Sequence, residues 1–77
     1  MPNFPTLADL KPGQKATIRR VHGKGPLRRR LMDMGLVRGL EVELLKTAPF
    51  GDPLEYKVRD YHLSLRRSEA ELVEINA

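Results

Sequence analysis

A mainly β domain is predicted for this chain of 77 residues: a small, strongly bent antiparallel barrel of about five strands with one short helix near residues 26–34. Three observations predict it. Residues 15–22, 40–46, 54–60, 61–66 and 72–75 read as short strands bounded by Gly- and Pro-rich turns. Only residues 26–34 show helical spacing over more than one turn. Finally, a chain this short, 40% hydrophobic, has material for one core and therefore one domain spanning 1–77. Curling an antiparallel sheet on itself limits its exposed edges, which makes a barrel the economical solution at this length. A general mixed α+β sheet is the alternative.

Each element has a local cause. Pro2 and Pro5 make the first residues an extended lead-in. A single helical turn follows, with Thr6 as its cap and Leu7 and Leu10 on one side. Pro12 and Gly13 turn the chain into the strand KATIRRVH. Ile18 and Val21 differ in parity there, so burying both requires a bulge near Arg19 and Arg20. Pro26 suits the first position of a helix, in which Leu27, Leu31 and Met34 share one face. Arg28, Arg29 and Asp33 point away from that face, with Arg29 and Asp33 spaced to pair. Gly35 ends the helix in a left-handed cap, and Gly39 turns the chain into the next strand. Leu40, Val42 and Leu44 alternate inward, as do Leu54, Tyr56 and Val58 after the loop APFGDP, where Asp52 is expected to bond its own turn. Tyr61, Leu63 and Leu65 face inward in the fourth strand, leaving His62, Ser64 and Arg66 outside. A turn capped by Ser68 and a short strand burying Val73 and Ile75 complete the chain. An SH3-like barrel accommodates this succession.

Composition excludes several functions. The chain has no cysteine, so it offers no disulfide, thiolate metal site or cysteine nucleophile. No apolar run nears the ~20 residues that cross a bilayer, and MPNFPTLADL is no signal peptide, so a cytoplasmic location is expected. Two serines, two histidines and scattered acids form no nucleophile–base arrangement, so the chain is expected not to be an enzyme. GKGP before the helix lacks the GxxxxGK[ST] pattern of a phosphate loop. The net charge of +4 conceals a division: residues 1–32 carry eight Lys/Arg against one acid (+7), and residues 33–77 carry six against nine (−3). Such polarity favours an acidic protein, an anionic surface or nucleic acid as partner.

Three motifs occur in order: a leucine-led helix ending in DMG with a second glycine four residues on, the turn APFGDP, and LSLRRSEA near the end. Together with LADLKPGQKATI they resemble the bacterial ferrous iron transport protein A family, FeoA, from about Thr6 to Ile75. The resemblance implies an SH3-like barrel that acts as a small cytoplasmic partner of FeoB, the membrane permease carrying a G-protein domain. The membrane would then be met only through that partner. The same domain ends metal-dependent transcriptional repressors, but behind a helical DNA-binding domain for which this chain has no room.

The arginine run then reads as a docking surface. Arginine's planar fork binds carboxylates bidentately, and Arg28 and Arg29 beside Met32, Leu36 and Val37 make a mixed basic and apolar patch. Phe50, at the tip of a loop, is a further contact. A small nucleic-acid-associated β-barrel is the alternative function. It is disfavoured because base stacking wants aromatic platforms, and the four aromatics here are Phe4, Phe50, Tyr56 and Tyr61. The same lack argues against a proline-rich ligand. No intrinsic cofactor is expected. His22 and His62 are the only imidazoles, on different strands and without ligand spacing. With a nearby acid, either could hold an adventitious zinc that bridges two molecules into a homodimer.

Overall fold

The computed structural model describes residues 3–76. Met1, Pro2 and Ala77 lie outside the described residues, and with them the part of the lead-in expected at Pro2. The chain folds as a 3-10 turn at Leu7–Asp9, then β1 (Lys15–Val21), α1 (Gly25–Asp33), β2 (Glu41–Thr47), β3 (Leu54–Val58), β4 (Tyr61–Leu65), a one-turn helix α2 (Arg67–Ala70) and β5 (Val73–Asn76). All strand pairs are antiparallel, in the order β4-β3-β2-β1-β5. The mainly β, five-stranded architecture is therefore the expected one. The main helix begins at Gly25 rather than Pro26.

Two register shifts bend the sheet. One lies between Ile18 and Arg20, where the parity of Ile18 and Val21 demanded it, and one between Leu44 and Lys46. The curled face encloses Ile18, Val42, Leu44, Leu54, Tyr56, Val58, Leu65, Val73 and Ile75. The 3-10 turn contacts β5 and α2, and α2 contacts β4, so these two short elements span the gap between the edge strands β4 and β5. Tyr56 is fully buried, and its hydroxyl donates to the Leu7 carbonyl at 2.8 Å, anchoring that plug to the core. Burial pushes the Tyr56 phenol well above its ordinary pKa.

Several local expectations are corrected. In α1 only Leu31 is fully buried; Met34 is half-buried and Leu27 is exposed. Gly25, Pro26, Leu27 and Arg28 are all exposed, and Leu27, with 39% of its surface in solvent, lies at the rim of the core rather than within it. Arg29 makes no ion pair with Asp33 among the described residues; Arg30 instead reaches the buried Glu69 carboxylate at 3.2 Å. Tyr61 is 39% exposed rather than inward, and its hydroxyl donates to the Met34 carbonyl at 2.6 Å. Ser68 does not cap α2. Arg66 occupies the cap position, and its N–H donates to the Glu69 carboxylate at 2.8 Å. Asp52 leaves its own turn to accept from the Arg67 N–H at 2.9 Å, satisfying another orphan amide of that helix. The Arg67 side chain in return donates to the Gly51 carbonyl (3.2 and 3.0 Å) and to that of Ala8 (3.3 Å). The APFGDP and LSLRRSEA motifs thus form one interlocked corner.

Candidate functional site

The end of α1 sets the geometry of the exposed surface. Gly35 has φ of +93°, a conformation that glycine adopts without steric cost. The Gly35 N–H donates to the Met32 carbonyl (2.9 Å) and the Leu36 N–H to the Leu31 carbonyl (3.3 Å). This pair of bonds is the Schellman closure, which folds the residue after the glycine back onto the helix. Leu36 is consequently buried completely, as is Leu31. Leu36 cannot touch a partner, which corrects its assignment to the docking patch. Val37, one residue later, emerges 39% exposed.

The next turn is tied to β1. The Gly39 N–H donates to the Ile18 carbonyl, and the Ile18 N–H donates to the Leu40 carbonyl, both at 2.8 Å. Arg38 is thereby held against the β1 bulge, whose consecutive residues Arg19 and Arg20 are both exposed. The Arg28 Nε donates to the Val21 carbonyl at 3.2 Å, bringing α1 to the same place. A groove of about 200 Å³ results, with Arg19, Arg20, Arg28 and Arg38 around it, Met32 and Val37 as its exposed apolar surface, and Val21 and Leu36 beneath. No carboxylate lines it. A second cleft, on the other side of α1, includes Arg29, Arg30 and Asp33.

Of the residues expected to bind a partner, the fold therefore gathers Arg28, Met32 and Val37. Arg29 is exposed on the neighbouring helix face. Phe50 is 99% exposed but sits beyond the end of β2, whereas Arg38 lies just before its start. Seven residues of strand separate the two, about 20 Å. Arg19, Arg20 and Arg38 were not singled out as contacts. The available signal was the parity mismatch in β1, since a bulge re-aims side chains.

The histidines do not come together. His62 pairs across the sheet with Lys57, Lys57 with Glu43 and Glu43 with Lys15, so it aligns with the start of β1, while His22 follows that strand's end. His62 is exposed. His22 is engaged: its Nε2 lies 2.8 Å from the Glu74 carboxylate, its ring stacks on Phe4 with centroids 4.3 Å apart, and the second Glu74 oxygen lies 3.4 Å from Arg19 Nε. Among the described residues, no group of three or more His, Asp or Glu is placed to hold a metal ion. No helix there is long and apolar enough to cross a membrane.

Comparison with known proteins agrees with this geometry. A curated relative from Porphyromonas gingivalis (strain ATCC BAA-308 / W83), a fusion of Fe(2+) transport protein A with the Fe(2+) transporter FeoB, is 41% identical over 69 residues. That match takes in 90% of this chain and spans 8% of the fusion protein's length. The solution structure of FeoA from Chlorobium tepidum superposes with a TM-score of 0.85 at 42% identity, covering 94% of this chain and 69% of that one. The crystal structure of Stenotrophomonas maltophilia FeoA complexed with zinc, a procaryotic SH3 domain protein, gives 0.83 at 32% identity over 94% and 89%. Residues 6–77 match the family model of the FeoA domain. With its SH3-like sheet and its motifs in place, the chain belongs to the FeoA domain family.

Proposed function

We propose that this chain works as a single, non-catalytic domain in the cytoplasm, an accessory of ferrous iron uptake that binds the cytoplasmic region of a FeoB-like permease and modulates it through protein–protein contacts. The observation that carries this reading is the Porphyromonas gingivalis relative, in which a segment 41% identical to this chain shares one polypeptide with FeoB. Fusion replaces a bimolecular encounter by an intramolecular one at high effective concentration, which is useful where the two parts act together. The exposed cationic face around α1 supplies a surface suited to such a contact. Arg28, Arg29, Met32 and Val37 are the residues assigned to it, with Phe50 as a separate, secondary contact at the far end of β2. Metal has no assigned role in this reading: an adventitious zinc, such as the one complexed by the Stenotrophomonas maltophilia relative, would bridge two copies through His62 or His22, of which His62 is the exposed one.

The test is binding to the detergent-solubilised, full-length permease of the same organism. Arg28→Glu with Arg29→Glu is expected to weaken binding while the domain stays folded; losing the Arg28 Nε bond to the Val21 carbonyl costs about 0.5–1.5 kcal/mol, a drop of roughly 3–10 °C in the unfolding midpoint. Unchanged affinity removes the patch. Tight binding of an oligonucleotide with a steep salt slope, and none of the permease, rejects the reading in favour of a nucleic-acid partner.

A further inference from the structure

The groove between the β1 bulge and α1 carries more information than its charge. Its arginines come from three separate elements: Arg19 and Arg20 from β1, Arg28 from α1, and Arg38 from the turn before β2. The one carboxylate near this rim is Glu74, and it is already shared between Arg19 and His22. Among the described residues, Arg20, Arg28 and Arg38 have no acidic partner within ion-pair distance. Arg28 spends its Nε on the Val21 carbonyl, which leaves its two terminal nitrogens to face outward as a fork that fits a carboxylate. Between these charges lie Met32 and Val37, exposed by 38% and 39%, an apolar surface that gains by being covered.

We infer that this four-arginine groove is the recognition element for an acidic, amphipathic peptide segment of the protein partner. One apolar side chain of that segment seats against Met32 and Val37, while flanking Asp or Glu carboxylates engage Arg20, Arg28 and Arg38. The inference rests on the reading that the partner is a protein, and it names the chemistry of the segment that the partner presents. Three features of the groove select this occupant. Its volume of about 200 Å³ lies below the ~300–1,000 Å³ of ordinary small-molecule sites, but it admits a side chain. No aromatic ring lines it, so it offers a nucleic acid no stacking platform. A phosphodiester backbone would match the charges yet leave Met32 and Val37 uncovered, whereas a peptide that alternates acid and apolar side chains satisfies both.

Two measurements test this together: affinity for the detergent-solubilised, full-length FeoB-like permease at several salt concentrations, and capture on an array of overlapping peptides covering that permease's sequence. The variant is Arg20→Ala with Arg38→Glu, which avoids placing a second acid opposite Glu74, the cross-strand partner of Arg20. It is expected to weaken permease binding about tenfold and flatten its salt dependence, the effect of losing two exposed charge contacts and reversing one. Arg38→Glu alone, on a turn that leaves every strand pairing intact, is expected to cost about threefold. Wild-type protein should capture net-acidic peptides containing a large apolar residue, and the double variant should lose them. Capture of neutral or basic peptides overturns the inference. Wild-type affinity in both variants overturns it too, leaving the FeoB reading in place. Failure of the wild type to bind the permease at all overturns that reading and this inference with it. Tight binding of an oligonucleotide that both variants lose replaces the peptide by a nucleic acid.

Discussion

Replacing Gly35 by alanine tests how the exposed surface is built. Gly35 stands at φ +93°, and a Cβ placed there runs into the Tyr61 hydroxyl. Two costs follow. A non-glycine residue in the left-handed region costs about 1–2 kcal/mol. Clearing the collision moves the Tyr61 hydroxyl off the Met34 carbonyl, where it sits at 2.6 Å, and loses a half-exposed hydrogen bond of about 0.5–1 kcal/mol. Gly35→Ala should therefore destabilise the fold by about 1.5–3 kcal/mol, a fall in Tm of roughly 6–24 °C for a domain of this size. Tyr61→Phe alone should cost under about 1 kcal/mol. It also removes the atom in the way, because the next ring atom lies 3.7 Å from the built Cβ, an ordinary contact. In a urea-denaturation cycle, Gly35→Ala should then cost only the backbone part in the Tyr61→Phe background, a coupling of about 1 kcal/mol. If Gly35→Ala costs the same in both backgrounds, within ~0.3 kcal/mol, the Tyr61 contact is not what makes glycine necessary there.

The remaining predictions concern the plug and the metal. Tyr56→Phe removes the hydroxyl from the Leu7 carbonyl, which keeps only the longer bond from the Leu10 N–H at 3.3 Å, and should cost about 0.5–1.5 kcal/mol at neutral pH. Above about pH 10 the unfolded phenol ionises while the buried one keeps its proton, so the native state holds more protons and wild-type stability falls by up to ~1.4 kcal/mol per pH unit. The gap between wild type and Tyr56→Phe should therefore narrow as pH rises through that range in chemical denaturation; a constant gap contradicts burial of the phenol. In sedimentation velocity with added zinc, a zinc-dependent dimer should form, disappear in His62→Ala and persist in His22→Ala, whose imidazole Glu74 already occupies. A dimer that survives His62→Ala assigns the ligand elsewhere.

Much of the fold was legible because it follows from neighbours in the chain. Period-two alternation identified the buried faces of β2 and β3, and the mismatched parity of Ile18 and Val21 located the bulge where the register shifts. Thr6 caps its turn as read, its Oγ1 accepting from the Ala8 N–H at 3.2 Å. Errors arose where a residue's fate depends on what packs over it. Leu36 looked like a turn residue, but Schellman closure folds it under Leu31. Leu27 had the right spacing, yet the first turn of α1 stands at the rim of the core and leaves it 39% exposed. Ser68 had the right chemistry for a cap, but Glu69 and the distant Asp52 took the amides of α2.

The sequence by itself determined the strands, the helix stop at Gly35, the absence of thiol chemistry and the concentration of positive charge in the first half. Those properties reside in composition and in spacings of a few residues, which local backbone geometry reads directly. Only the tertiary structure decided that Arg20, Arg28 and Arg38 share one groove and that Phe50 stands far from it. Convergence of residues from separate elements depends on strand register and on the hydrogen bonds that lock the α1–β2 turn to β1, and no short-range pattern encodes those.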